Sequence, residues 1–109
     1  MEHNEIKLRL GNVFFTWDDE KEKINIRKHG IHFASAAAVF FDDGAVYEFN
    51  SVDEITGEER LDVIGMVYGD IMFVVYVDRI TIENSNIIRI ISARLAEKKE
   101  EFIYAYGTR

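Results

Sequence analysis

The chain has 109 residues, a net charge of −7, and neither cysteine nor proline. That length suits one domain with its own core, and 48% hydrophobic with 30% charged residues describes a folded chain rather than a disordered one. The absence of cysteine excludes disulfides, thiolate nucleophiles and cysteine zinc sites, and the longest apolar run, Ile71–Val77, is too short to span a membrane.

Ile6–Leu10 alternates, and Val13–Trp17 is bulky and β-favouring, so Gly11-Asn12 turns a hairpin or bends one strand. Asp18 then stands where a helix N-cap belongs. Asp19 and Glu20 fall in the first turn, Arg27, Lys28 and His29 in the last, and Gly30 at the left-handed C′ position. A second helix is expected over Phe33–Phe41, where Phe33, Ala36, Ala37, Phe40 and Phe41 repeat at helical spacing. Ala45–Phe49 reads as a short strand and Asn50–Glu59 as an acidic loop. Arg60–Tyr68 and Ile71–Asp78 read as a hairpin turned by Gly69-Asp70 in type II′ form. Arg79–Asn86 reads as a polar loop, Ile87–Arg94 as a strand and Glu97–Tyr106 as a closing helix. Consecutive strands with short turns make an antiparallel meander, so the fold class is α+β.

That turn pairs Tyr68 with Ile71 and carries the register back to Arg60 opposite Arg79. A symmetric loop then sets Ile71 opposite Arg94. One sheet face gathers Arg60, Asp62, Arg79, Ser92 and Arg94; the other holds Arg89 beside Tyr76. Arg60 and Arg94 fall at opposite ends of the sheet, about 26 Å apart. The arginines suit phosphate, although salt bridging to nearby carboxylates is the plainer role on spacing alone. Charge is uneven: seven acids and no base lie between Asp42 and Glu59, whereas Arg89–Lys99 is locally basic. Overall acidity argues against a generic nucleic-acid binder. Histidines are only His3, His29 and His32, and the last two straddle Gly30, so no metal site is expected.

A set of residues adds a more specific signal: Phe15-Thr16-Trp17-Asp18, Lys21, Asn25, Arg27-Lys28-His29-Gly30-Ile31, Gly57-Glu58-Glu59-Arg60, and Ile87 through Arg94 ending in Ile-Ser-Ala-Arg, then Lys98-Lys99-Glu100 and Tyr104. In this order and spacing the chain resembles the BrnT family of bacterial type II toxins over about Phe14–Tyr106. The resemblance implies a RelE-like fold, with two N-terminal helices and a C-terminal helix packed on an antiparallel sheet. It implies a single domain over 1–109, with a toxin part at 13–106 and an N-terminal extension at 1–12. It further implies a cytoplasmic, metal-independent endoribonuclease without cofactor that cuts RNA and halts translation. The implied partner is a BrnA-like antitoxin in a heterotetramer, with operator DNA reached only through the antitoxin and no membrane contact. A homodimer is the alternative for the chain alone.

Within that frame His29, Arg60, Ser92 and Arg94 are the catalytic candidates, and Lys28, Arg79, Arg89, Lys98 and Lys99 the RNA-binding ones. Imidazole exchanges protons near neutral pH, guanidinium binds two phosphate oxygens at once, and Ser92 suits hydrogen bonding better than nucleophilic attack. His29 as a mere helix-end residue is the competing role. The competing function is a catalytically inactive RelE-like interaction module, which the acidic loop favours.

Overall fold

The computed structural model describes residues 4–80 and 86–107. Six strands form one sheet in the order β1-β2-β6-β5-β4-β3. The strands are β1 (Glu5–Leu10), β2 (Val13–Asp18), β3 (Val46–Val52), β4 (Glu59–Val67), β5 (Asp70–Ile80) and β6 (Asn86–Leu95). The helices are α1 (Asp19–His29), α2 (Phe33–Ala36) and α3 (Lys98–Tyr106). The class is α+β, as expected, but the sheet is mixed: β2 runs parallel to β6 while every other pair is antiparallel. Only strands joined by short turns are bound to run antiparallel. β2 and β6 are far apart in sequence, so no turn fixes their relative direction.

Helix α1 is bounded by the residues expected to cap it. Asp18 accepts a hydrogen bond from the Lys21 amide at 3.3 Å. Gly30, at φ 71°, donates its N–H to the Ile26 carbonyl at 2.8 Å. The second helix is shorter than its periodicity suggested: four α-helical residues run on as a 3-10 turn, Ala37–Phe41. Its small face lets it lie close on β4, where Gly65 leaves room for Val39. The stretch expected as an N-terminal extension supplies β1, the edge strand paired along β2.

The core lies on the α2 side of the sheet. Phe15, Trp17, Val63, Val74, Tyr76, Ile90 and Ala93 meet Phe33, Ala36, Ala37 and Val39 there. Helix α3 packs against β4, on the side opposite Gly65 and Val39, and fully buried Ile64 points to that second side.

Register differs from the expectation in two ways. The β4–β5 turn is Tyr68-Gly69, both with positive φ, since Val67 pairs with Asp70. This is the type I′ pattern rather than a II′ turn at Gly69-Asp70. A non-glycine residue with positive φ is uncommon, so the sequence favoured the later pair. The shift is two residues, which leaves every side chain on its expected face but removes the Arg60–Arg79 pairing; Arg79 lies opposite Ile87 instead. The second difference is a bulge in β6 at Ile91: Val75 pairs with Ser92, but Tyr76 pairs with Ile90. A one-residue slip exchanges faces, so Arg89 leaves the core side and joins Ser92 and Arg94. Strands β5 and β6 also extend through Arg79, Ile80 and Asn86. The rest of the expected polar loop, 81–85, lies outside the described residues.

Candidate active site

Beyond Arg89, no strand among the described residues lies on the outer side of β6, because β2 pairs only as far as Thr16. Helix α1 fills that place. Asn25, 5% exposed, donates to the Ala93 carbonyl at 2.8 Å and accepts from the Ala93 N–H at 3.1 Å. Its amide thus imitates one residue of an added strand. It also donates to the Ile31 carbonyl at 3.0 Å, tying down the chain that leaves the helix. Buried peptide groups need partners, and Asn25 satisfies three with one side chain.

This attachment sets the exposed residues of α1 beside β6. Lys21, Ile24, Lys28 and His29 line a hollow of about 170 Å³ with Ile91 and Ser92. His29, Lys28 and Ser92 are therefore brought together around one hollow. Lys21 also lines a larger, adjoining hollow of about 510 Å³, with Arg79, Arg89, Glu5 and Asp18. Lys21 was not among the sequence candidates. Its spacing from Ile24 and Lys28 follows one helical face, and that was the available signal.

The four candidate arginines share a face but each is engaged by a carboxylate. Arg60 meets Asp53 at 3.2 Å, Arg79 meets Glu58 at 2.8 Å and Arg89 meets Glu5 at 2.7 Å. Arg94 meets both oxygens of Glu100 at 2.8 Å and lies 4.4 Å from the centre of the Phe73 ring. Glu100 is buried. Burial alone raises its carboxyl, but hydrogen bonds from Arg94 and the Glu97 amide outweigh this and hold it below the ordinary range. The same bond raises the Arg94 guanidinium still higher. The Nε of Arg60, shielded from solvent, has no hydrogen-bond partner among the described residues.

The corrected register also shortens the site. Arg94 pairs with Phe73, which pairs with Ile64, only four residues along β4 from Arg60. Their separation along the strands falls to about 13 Å, half the expected value. Ser92 lies between them, in the row of Val75 and Asp62. Asp62 is buried and accepts from Asn50 at 2.7 Å; burial raises its carboxyl despite that bond. Lys98 and Lys99 open α3, exposed, and line neither hollow.

Tyr76 belongs to the core, and burial pushes its hydroxyl up to about 12. Tyr104 donates to Asp42 at 2.7 Å. Among the described residues no three His, Asp or Glu side chains form a metal-binding group, and no helix is long and apolar enough to cross a membrane.

An α+β chain with a histidine, a serine and a row of cations beside one sheet face has the parts needed to hold and polarise a phosphodiester. Residues 17–100 match the family described as the ribonuclease toxin BrnT of type II toxin–antitoxin systems. The match spans most of the chain and all the candidate residues, and the chain belongs to this family. The family's type II character implies an antitoxin partner. A search of curated proteins finds no match.

Proposed function

We propose that the chain cleaves RNA at the hollow between α1 and β6 without a metal, on a RelE-like scaffold, and thereby stops translation. The observation that carries this reading is the meeting of His29, Lys28 and Ser92, from distant parts of the sequence, around one hollow. Cleavage needs a base for the 2′-hydroxyl, cations for the charge that develops on phosphorus, and an acid for the leaving oxygen. His29 supplies one of the two proton transfers. Ser92 donates a hydrogen bond to a phosphate oxygen, and Lys28 contributes charge. Arg94 and Arg60 flank Ser92 on the same face and stabilise the transition state once phosphate replaces their carboxylate partners. Lys21, Arg79 and Arg89 hold the neighbouring stretch of backbone, with Lys98 and Lys99 contributing only long-range charge. A BrnA-like antitoxin neutralises the chain and provides the contact with operator DNA, in a heterotetramer.

The engagement of all four candidate arginines by acids favours a second reading, an inactive module kept for its protein partner. Induced expression in a bacterial host separates the two. Wild type is compared with His29→Ala, Ser92→Ala, Arg60→Ala and Arg94→Ala, following growth and total RNA. Arrest with fragmented RNA, relieved by these substitutions, and cleavage by purified protein in EDTA are expected. Intact RNA from well-folded wild type sinks the ribonuclease reading and leaves the interaction module.

A further inference from the structure

We propose that β3, one open edge of the sheet, is the docking strand for the antitoxin, and that it receives an extended segment alternating apolar and basic side chains. This rests on the reading that the chain works with an antitoxin, and adds where and how the two meet.

The sheet has two open edges, and they are built differently. On β1 the exposed side chains are Glu5, Lys7 and Arg9, while Ile6, Leu8 and Leu10 are tucked inward. Charged side chains of this kind discourage unwanted strand pairing. On β3 the pattern is reversed. Tyr47, Phe49 and Val52 are 52%, 61% and 50% exposed, and Glu48 between the aromatics is half-buried. A bulge at Asn50 interrupts the pairing of β3 with β4, which resumes at Ser51 and Val52. An exposed aromatic edge without the row of exposed charges that β1 carries is suited to a partner strand.

Charge selects the partner. Asp42, Asp53 and Glu58 are occupied by Tyr104, Arg60 and Arg79. Asp43, Glu48, Glu54 and Glu59 have no ion-pair partner among the described residues. Glu48 also stands directly opposite Asp62, a like-charge pair that an incoming cation relieves. A second copy of β3 brings further acids to this edge, and RNA is repelled by it. A basic segment is attracted. Since cross-strand partners share a face, its apolar residues cover Tyr47 and Phe49 while its Lys or Arg residues meet Glu48. Two strands, β4 and β5, separate this edge from β6, so docking leaves the hollow at Ser92 about 14 Å away.

The test co-expresses the full chain with the protein encoded beside it as the antitoxin, and compares amide hydrogen exchange in the free chain and the purified complex. Exchange at Val46–Phe49 is expected to slow at least about tenfold in the complex. Phe49→Lys and the double variant Glu48→Lys/Glu54→Lys are expected to weaken binding about tenfold or more, while melting like wild type and still arresting growth when expressed alone. A complex with unprotected β3 amides, variants that bind like wild type, or no complex overturns the proposal. So does β3 protection in the isolated chain together with doubled mass, which assigns the edge to a second copy. Failure of the ribonuclease reading is seen separately, in wild-type chain that neither arrests growth nor fragments RNA.

Discussion

Arg94 and Glu100 meet at two points, each 2.8 Å long, and thereby pin the start of α3 to the sheet face that carries Ser92. A guanidinium gripped by two carboxylate oxygens is geometrically ready for two phosphate oxygens. The contact is therefore both a support for α3 and a competitor for the proposed substrate.

Glu100→Gln separates those roles. The amide oxygen still accepts from the Glu97 N–H, so the helix start is preserved. The charge opposite Arg94 is lost. Because Arg94 is partly exposed, the stability loss is smaller than for a fully buried pair, about 1–3 kcal/mol. RNA binding is expected to rise, since the competing anion is gone. Urea unfolding and a binding titration at fixed salt check both halves; weaker RNA binding by a folded variant counts against Arg94 as a phosphate contact.

Much of this arrangement was readable from sequence because it rests on local chemistry. Asp18 and Gly30 bound α1 as their side chains require, and strand alternation set Arg60, Asp62, Ser92 and Arg94 on one face. The bulge at Ile91 was not readable. It lies in Ile87-Ile88-Arg89-Ile90-Ile91, where apolar residues on both faces conceal a change of alternation, and so Arg89 was placed on the wrong side. Asn25 stood among the residues of the family resemblance, but its grip on Ala93 joins positions distant in sequence and has no local signature.

Asn25→Ala tests that grip. It leaves the Ala93 N–H and carbonyl and the Ile31 carbonyl without their protein partner. Each buried group left unsatisfied is penalised by about 1–3 kcal/mol, with partial relief from water, so a total of about 2–4 kcal/mol is expected. Cleavage falls further than stability explains, because α1 no longer holds His29 and Lys28 beside Ser92. The check is cleavage measured where the variant is still fully folded; an unchanged rate there removes α1 placement from the mechanism.

Among the described residues, three of the four carboxyls with shifted pKa values bear on acid stability around α3 and the sheet. Glu100 and Asp42 have lowered pKa values: burial opposes this, but Arg94 for Glu100, and the Met66 amide with Tyr104 for Asp42, prevail. Their contributions are complete above the ordinary carboxyl range, about pH 4–4.5, and disappear as pH falls through the lower folded values. Asp62 has the opposite sign. Its folded pKa is raised by burial, so protonation on the way down favours the fold. Asp62→Asn is therefore expected to stabilise the chain at pH 7, an advantage that shrinks as pH falls through the raised folded value toward the ordinary carboxylate range. Urea midpoints across pH 3–7 give the comparison; a parallel wild-type and variant profile refutes the assignment to Asp62.

Among the glycines, Gly65 has the least room for a side chain. A Cβ there would lie 2.5 Å from Val39 Cγ2, 3.2 Å from the Val39 carbonyl oxygen and 3.3 Å from Asp42 Oδ2. The Val39 methyl belongs to a fully buried side chain and the carbonyl to the 3-10 turn, so neither yields freely. Asp42 is fixed by the Met66 and Gly44 amides and by Tyr104. Gly65→Ala must push the turn off β4, an overpacking penalty of about 1–3 kcal/mol. The same displacement loosens Tyr104 and with it the far end of α3. Thermal unfolding together with hydrogen exchange at α3 tests the coupling: destabilisation with unchanged α3 exchange confines the strain to Val39, and faster exchange throughout α3 carries it through Asp42 to the helix over the arginine face.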